Sequence, residues 1–342
     1  MQRVLIVGCG NIAGGFDAER AADLPPLTHA GAFSRHGGFQ LTACVEPDAE
    51  RRQAFMRRWG VQQGHADLAA VQAQHGLPGR PDKPNLPDFP HLQDAGPFDV
   101  ISLCSPTAAH APQIEAALAL RPRLIFCEKP VTPTLAQTQA LVQRCAAAGV
   151  PLAVNHTRRW APDVQRLAAE LQAGVWGPVR SVVGTYNKGV LNNGSHMVDL
   201  LHQLLGPLTL QYAGRAQADH WRDDPSVPAV LQSASGVEVH LNTAHAADGA
   251  IFELQIFTAS AVIAMEDGGQ QWRVRRYVDS PHFKHYRVPD SGERSAGSYL
   301  QATARAVDNL YQHLTQGQAL ASTGDTALAA QRLCDEIRRR AS

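Results

Sequence analysis

The sequence predicts an α/β protein of two domains, the first built on a doubly wound parallel sheet. Three observations predict it: a glycine-rich turn after the first apolar run, alternating apolar runs and helical segments up to residue 154, and period-two strands further on. Buried strands that alternate with helices are typical of a parallel sheet covered on both faces. We therefore expect residues 1–154 to form the first domain and residues 155–342 the second, whose last helix can pack back on the first.

The elements of the first half follow from apolar runs and helix signals. A capping-box pattern, Thr134-x-x-Gln137, opens one helix, and Gly149 follows its end. The stretch 16–28 is longer than a strand–helix unit needs, and 76–97, with six prolines, predicts an irregular surface loop. Strands are predicted at 4–7, 41–45, 100–103, 124–127 and 151–154, and helices at 49–59 and 134–148.

The second half changes in texture. Along Val237–Leu241 apolar and polar residues alternate, which predicts a strand with one buried and one solvated face. Runs of such strands favour a mostly antiparallel sheet. Further strands are predicted at 179–186, 251–257 and 261–265, and helices near 161–173, 195–205, 299–314 and 326–340.

Composition excludes several classes of function. Lys plus Arg equals Asp plus Glu at 31 each, so the chain has no global attraction for nucleic acid or an anionic membrane. No apolar run is long enough to span a bilayer, and the N-terminus lacks the features of an export signal, so we expect a cytoplasmic protein. The six cysteines form no CxxC pair and the histidines no ligand-like spacing, so we expect no metal site and no disulfide scaffold.

The glycine-rich turn, Gly8-Cys9-Gly10-Asn11-Ile12-Ala13, follows a strand and is expected to precede a helix. In that context Gly8 permits the tight turn, and Gly10 lets backbone amides approach a pyrophosphate near the helix N-terminus. We expect Gly8, Gly10, Asn11 and Ile12 to bind a dinucleotide. The alternative is a plain strand–helix turn.

Glu46 ends the second strand, where a carboxylate accepts hydrogen bonds from the adenosine ribose. Its distance from Gly10 exceeds the usual spacing of about 20 residues, and the stretch 16–28 accounts for the excess. A carboxylate repels a 2′-phosphate, so Glu46 favours NAD over NADP. The alternative is a solvated acid at a strand end, with Asp48 two residues away.

Two further loops follow strands of the same sheet. Ser105-Pro106-Thr107 and His110 follow the strand that ends at Leu103, which puts them beside the cofactor. Thr107 can also cap a helix that has Pro112 near its start. Glu128-Lys129-Pro130 follows the strand 124–127 and brings an amine to the reactive end of the cofactor.

Taken in order, these pieces resemble the glucose–fructose oxidoreductase and inositol dehydrogenase family (Gfo/Idh/MocA). The resemblance implies an N-terminal Rossmann domain for NAD(P), a C-terminal α/β domain with an open sheet that often forms a homodimer or homotetramer, and a sugar, cyclitol or related polyol as substrate. The pieces that carry it are the glycine turn, Ser105-Pro106-Thr107-x-x-His110, Glu128-Lys129-Pro130, Arg159-Trp160-x-Pro162 and Gly194-Ser195-His196-x-x-Asp199.

The resemblance also implies roles for single residues. Lys129 and His196 would handle the proton of the reacting hydroxyl, and Asp199, three residues beyond His196 on one helix face, could orient the imidazole. The family often has an aspartate where this chain has Asn192, and an amide cannot relay a proton. We expect Glu128, Lys129 and Arg159 to contact the cofactor, and Tyr186, Asn192, Asn193, His196 and Asp199 to contact the substrate.

Three functions remain open at this point. The first is hydride transfer between a nicotinamide and a secondary alcohol or ketone of a sugar, sugar derivative or cyclitol. The second, suggested by Asn192, is glycoside cleavage or elimination in which tightly bound NAD is recycled internally. The third is a cofactor-binding protein without catalysis, against which Lys129 and His196 both argue.

Overall fold

The computed structural model describes residues 1–76 and 96–342. Most of the predicted loop 76–97 therefore lies outside the described residues. The chain divides into two compact units: residues 1–156 with 303–328, and residues 157–302 with 329–342.

The first unit contains a six-stranded parallel sheet, as predicted. The strand order is β3-β2-β1-β4-β5-β6, so the order reverses between β1 and β4. In doubly wound sheets, ligands bind outside the carboxyl ends of the strands at such a reversal. The strands are β1 (Gln2–Val7), β2 (Phe39–Val45), β3 (Gln63–His65), β4 (Val100–Leu103), β5 (Leu124–Cys127) and β6 (Leu152–Val154).

Helices with well-defined caps connect these strands. The side chain of Asp48 caps α2 by accepting from Arg51 N, and Thr134 caps α5 by accepting from Gln137 N. Gly149 then adopts a left-handed φ of 64° after α5, which ends the helix. The helices are α1 (His29–Arg35), α2 (Ala49–Trp59), α3 (Leu68–Gln74), α4 (Thr107–Ala119) and α5 (Leu135–Ala147).

The prediction that a helix directly follows the glycine turn is wrong. The carbonyl of Gly10 accepts from Gly14 N and Gly15 N at 3.1 and 3.2 Å, and regular α-helix begins only at His29. The buried carboxylate of Asp17 accepts from Thr28 N at 2.9 Å and Thr28 Oγ1 at 2.6 Å. The stretch 16–28 is thus a compact excursion that Asp17 ties to the start of α1.

The second unit contains a mixed, mostly antiparallel sheet, as predicted. Only β7 and β12 run parallel among its described strand pairs, and β9 pairs with β10 separately. Burial alternates along β13, so one face of that strand is covered and the other is exposed. The elements are α6 (Pro162–Gln172), β7 (Val179–Tyr186), α7 (Ser195–Leu205), β8 (Leu208–Ala213), β9 (Gln217–Trp221), β10 (Asp224–Ser226), β11 (Ala229–Ser233), β12 (Glu238–Thr243), β13 (Phe252–Thr258), β14 (Ala261–Glu266), β15 (Gln271–Asp279), β16 (Arg287–Pro289) and β17 (Glu293–Ala296).

Two helices follow the sheet of the second unit, α8 (Ala302–Gln316) and α9 (Gly324–Arg340). All of α8 but its first residue belongs to the first unit, and the connection after it reaches the edge strand β6. There, Ser322 Oγ donates to Val154 O at 2.6 Å, and Thr323 forms a bridge with Ala153. The first unit is therefore assembled from two separate stretches of the chain.

Candidate active site

The glycine turn at the end of β1 combines one crowded and one open position. Gly8 has a φ of 85°, and a Cβ there would lie 2.7 Å from Ser105 N. Only glycine allows this close approach between the turn and the loop after β4. A Cβ on Gly10 would meet nothing within 4 Å. The open space at Gly10 fits a pyrophosphate that approaches the backbone, as the glycine pattern requires.

Glu46 follows β2 and turns its carboxylate towards the glycine turn. Cys9 N donates to Glu46 Oε2 at 3.0 Å, and Asp48 N donates to Glu46 Oε1 at 3.2 Å. Arg51 Nη1 lies 3.4 Å from Glu46 Oε1. The turn and the strand-end acid are thus joined, and the carboxylate is oriented before any ligand binds.

The loop after β4 is fixed to the loop after β5 by His110. This residue is fully buried, and its Nε2 lies 2.8 Å from Ser105 O. Its Nδ1 lies 3.1 Å from Val131 O and 3.2 Å from Pro130 O. The buried ring therefore holds the two loops together, and the expected contact of His110 with the cofactor stays a prediction.

Thr107 is the first residue of α4 and Pro106 is its N-cap, without a side-chain capping bond. The idea that Thr107 caps this helix is off by one position. The hydroxyl of Ser105 donates to the side chain of Gln113, one helical turn inside α4. The loop therefore receives its support from Ser105 and Gln113.

Glu128 lies in a buried polar network beside Lys129. Its Oε1 is 2.8 Å from Nε2 of His29 and accepts from Asn155 Nδ2 at 2.6 Å. The other ring nitrogen of His29, Nδ1, lies 2.7 Å from Ser102 Oγ. Oε1 of Glu128 is thereby engaged by protein partners, and the expected contact of Glu128 with the cofactor stays a prediction.

The charge states of this network follow from its contacts. Burial would raise the pKa of Glu128, but the hydrogen bond and charge of His29, the amide of Asn155 and the charge of Lys129 hold it below its usual range. Burial would lower the pKa of His29, but the neighbouring thiol of Cys104 and the carboxylate of Glu128 raise it to about 10. Both pKa shifts favour the charged forms, an imidazolium at His29 and a carboxylate at Glu128.

In the second unit the expected substrate residues lie on or near a π-helical turn, Gly189–Gly194. This turn runs directly into α7. Such turns recur at functional sites. Asn192 and Asn193 lie on the turn and His196 on the first turn of α7. The side-chain amide of Asn192 donates to Lys188 O at 3.1 Å, so this residue also stabilises its own loop.

Acidic residues from the β9–β10 hairpin hold that turn. Asp224 Oδ1 and Oδ2 accept from Leu191 N and Asn192 N at 2.9 and 2.8 Å. The carboxylate of Asp219 accepts from Lys188 N and from Ser226 Oγ. Burial opposes ionisation, but donors that include Ala246 N and Lys188 N hold the pKa of Asp219 below its usual range.

Two predicted substrate residues are buried and engaged elsewhere. Tyr186 is 1% exposed, and its hydroxyl donates to Val227 O at 2.8 Å and accepts from Val227 N at 3.2 Å. Asp199 is also 1% exposed and accepts from Arg159 Nε at 2.8 Å with both oxygens. Tyr186 and Asp199 thus stabilise the unit, and their expected contacts with the substrate stay predictions. The Arg159 guanidinium forms this ion pair within the second unit, and its expected contact with the cofactor stays a prediction.

The structure thus brings one set of predicted residues to the carboxyl edge of the parallel sheet and another to the turn before α7. Four residues of these networks were not predicted from the sequence: His29, Asn155, Asp219 and Asp224. Asn155 carried a signal, because it directly follows a predicted strand, but the other three lie on segments without a recognisable pattern.

The described residues contain neither a cluster of metal ligands nor a helix that could span a membrane. Within 1–76 and 96–342, no three His, Cys, Asp or Glu side chains are grouped so that they could hold one metal ion. In the same part of the chain, no helix combines the length and apolar character needed to cross a bilayer. All six cysteines are buried and free.

Comparison with known proteins agrees with this geometry. Residues 2–156 match the model of the Gfo/Idh/MocA oxidoreductase family, described as an NAD-binding Rossmann fold. The chain is 26% identical over 198 residues to a D-apiose dehydrogenase of Paraburkholderia graminis, a match that covers 53% of this chain and 47% of the relative. It is 24% identical over 265 residues to an inositol 2-dehydrogenase of Rhizobium meliloti, covering 71% of this chain and 78% of the relative.

The fold extends over the whole chain in solved structures. An oxidoreductase of Agrobacterium radiobacter, in complex with NAD+, L-tartaric acid and magnesium, superposes with a TM-score of 0.74 at 16% identity, covering 99% of this chain and 96% of that one. The first unit is therefore an NAD-binding Rossmann domain. Residues 2–156 belong to the Gfo/Idh/MocA oxidoreductase family, as their motifs predicted. The chain spans about half the length of the D-apiose dehydrogenase that it matches.

Proposed function

We propose that the protein is an oxidoreductase that transfers a hydride between a nicotinamide cofactor and a secondary alcohol or ketone of a sugar, sugar derivative or cyclitol. The observation that carries the proposal is the open space at Gly10 on the same sheet edge as Glu46 and Lys129. The relatives named D-apiose dehydrogenase and inositol 2-dehydrogenase support this class of substrate.

The residues of the candidate site have separate roles in the proposed reaction. The turn at Gly8 and Gly10 binds the pyrophosphate, and the Glu46 carboxylate accepts from the adenosine ribose. The nicotinamide, when bound, supplies the hydride acceptor. The Lys129 amine takes the proton of the substrate hydroxyl as the hydride leaves its carbon with the bonding electrons, so that a C=O group forms. In the reverse direction the Lys129 ammonium returns this proton.

His196 is the second catalytic group in the proposal, as a hydrogen-bond partner of the substrate. Asn192 and Asn193 are proposed to bind neighbouring hydroxyls, because an amide both donates and accepts.

NAD is the proposed cofactor, and NADP the weaker candidate. A 2′-phosphate would meet the buried carboxylate of Glu46, which already accepts from Cys9 N. Arg51 Nη1 lies 3.4 Å from the same carboxylate and is a cation that would offset part of this repulsion. Fluorescence titrations with NADH and NADPH compare the affinities of the protein for the two cofactors. Glu46→Gln should reduce the difference between these affinities.

The first experiment is native mass spectrometry before and after mild denaturation. Released NAD(H) would support tight binding, whereas an empty protein would direct the search to exchangeable cofactor. A panel of sugars and cyclitols is then followed at the NADH absorbance band.

The decisive variant is Lys129→Ala. It should lower kcat by at least about 10³-fold and leave NADH affinity within a few-fold. Lys284→Ala, at an exposed position of the second unit, is the matched control and should keep full activity. Unchanged turnover in Lys129→Ala would refute the assignment.

A second reaction on the same fold is worth testing because of Asn192. Without an acidic group at this position, transient oxidation of the substrate could serve glycoside cleavage or elimination, with the hydride returned to the substrate afterwards. Product formation without net NADH would favour this reaction. Tight NADH binding without turnover on any substrate would favour a non-catalytic protein.

We also propose a cellular location and an oligomeric state for the protein. The free cysteines are consistent with the expected cytoplasmic location. The exposed face of the second unit's sheet is the proposed contact of a homodimer or homotetramer, which light scattering after size-exclusion chromatography tests directly.

A further inference from the structure

His29 is a buried polar residue near the candidate site, and it has no role in the proposed chemistry. The residue is fully buried, and both ring nitrogens have partners. Its ring stacks on Phe126 of β5 with centroids 4.6 Å apart. The two hydrogen bonds and the stacking contact together fix the orientation of the imidazole ring.

The partners of His29 belong to the ends of three neighbouring strands. Ser102 lies on β4, Glu128 follows β5 and Asn155 follows β6. Asn155 Nδ2 lies 2.6 Å from Glu128 Oε1 and 3.3 Å from His29 Nε2. The network therefore closes around one carboxylate oxygen, on the residue directly before Lys129.

We propose that His29 is a positioning residue for Lys129: it holds the Glu128 carboxylate in place and offsets its negative charge, so that the neighbouring amine releases its proton at a lower pH. This inference rests on the proposed role of Lys129 as the base. A carboxylate one residue away favours the ammonium form of a lysine, and a nearby imidazolium counteracts it. The charge of Lys129 in turn contributes to the lowered pKa of Glu128.

Other titratable groups around the network do not replace His29. The Cys127 thiol stays neutral because burial raises its pKa well above the usual value. His110 contacts backbone carbonyls of the loop that follows Lys129. Asp17 is engaged by the backbone and hydroxyl of Thr28. Two further neighbours are Cys104 after β4, whose thiol faces His29, and His156, which follows Asn155.

The test reads the protonation of Lys129 directly, without turnover. The chain has only four lysines, at positions 83, 129, 188 and 284, so reductive methylation with ¹³C gives a short NMR spectrum in which Lys129→Arg assigns the signal of interest. The midpoint of that signal is followed against pH in cofactor-free protein.

Three variants give opposed expectations. His29→Asn should raise the Lys129 midpoint by about one pH unit, and Glu128→Gln should lower it by a similar amount. The double variant His29→Asn/Glu128→Gln should lie between the two. His36→Asn is the matched control, because His36 ends α1 and pairs with Asp308 at 3.3 Å; it should leave the midpoint unchanged.

An unchanged midpoint in a folded His29→Asn protein would overturn the proposal. If His29→Asn does not fold, as circular dichroism would show, Glu128→Gln decides alone, and an unchanged midpoint there has the same meaning. A shifted midpoint in a protein that oxidises no substrate would uphold the coupling and refute the proposed function, so the two failures are distinguishable.

Discussion

At the scale of single residues, Gly8 and Gly10 show how two glycines of one turn serve different ends. Gly8 has a φ of 85°, and its Cβ would lie 2.7 Å from Ser105 N, whereas a Cβ on Gly10 would meet nothing. Gly8→Ala should therefore destabilise the fold by about 2 kcal/mol or more, from backbone strain and the clash together. Urea unfolding of the purified variant measures this loss.

Gly10→Ala is the complementary prediction. The methyl group fits the free protein but fills the space expected for the pyrophosphate, so the Tm should change by no more than about 2 °C. Affinity for NADH should fall about tenfold or more, measured by fluorescence titration. Unchanged affinity would mean that the cofactor does not approach the backbone at Gly10.

The buried pair of His29 and Glu128 predicts a pH dependence of stability. The pKa of His29 is about 10 in the folded protein against a usual 6.5, so its contribution is fully present below about pH 6.5 and is lost as the pH rises towards 10. The pKa of Glu128 is lowered, so its contribution is present at neutral pH and is lost in acid. Urea unfolding from pH 6 to 10 should show a decline of up to a few kcal/mol that His29→Gln largely removes. A parallel decline in both proteins would contradict the buried charge.

Residue roles were predictable where position alone defines them. A strand end fixes where Glu46 lies, and the contact from Cys9 N follows from that position. The burial of Tyr186, Asp199 and His110 was not predicted, because a motif does not reveal burial, and each of them has hydrogen-bond partners within the protein. Which partner a polar side chain finds depends on packing between distant segments.

At the scale of elements, the β9–β10 hairpin acts on the turn before α7. Asp224 accepts from two backbone amides of this turn, and a Cβ on Gly189 would lie 2.2 Å from its Oδ2. Asp224→Ala leaves both amides unpaired and should cost about 2 to 3 kcal/mol, whereas Asp224→Asn keeps one acceptor and should cost about 1 kcal/mol. Chemical denaturation measures both, with the exposed neighbour Asp223→Ala as control. Equal stability of the three variants would show that the turn does not depend on the hairpin.

The elements that the sequence predicted are those with a strong period or a cap. Helix α2 has the predicted bounds, and strands β4, β5 and β7 do as well. The short hairpin β9–β10 was missed because Gln217–Trp221 is mostly exposed and polar, without an alternating pattern. Helix α1 begins at His29 and not directly after the glycine turn, where the sequence predicted a helix. The buried carboxylate of Asp17 stabilises the long excursion between them, which local propensity does not predict.

At the scale of the whole molecule, the first unit consists of two stretches that are far apart in the sequence. The composition and alternating pattern were sufficient for the α/β class and for the Rossmann sheet. They did not reveal that residues 303–328 complete this unit. That information lies in contacts over long sequence separation, such as the donation from Arg123 Nη2 to Leu314 O at 2.6 Å.

Residues 1–156 alone should therefore be incomplete. They would lack the donation from Ser322 Oγ to the carbonyl of Val154 and the side chain of Leu328 in the core. They would also expose Phe39, whose ring packs against Tyr311 of α8 with centroids 5.7 Å apart. We expect this fragment to unfold at lower urea with reduced cooperativity and to bind the hydrophobic dye ANS, because apolar surface is uncovered. Joining residues 303–342 to it through a flexible linker should restore a sharp transition and NADH binding. If the fragment 1–156 already unfolds as sharply as the fused form, the second stretch contributes nothing to the stability of the nucleotide-binding unit, and its contacts with Val154 and Phe39 are incidental.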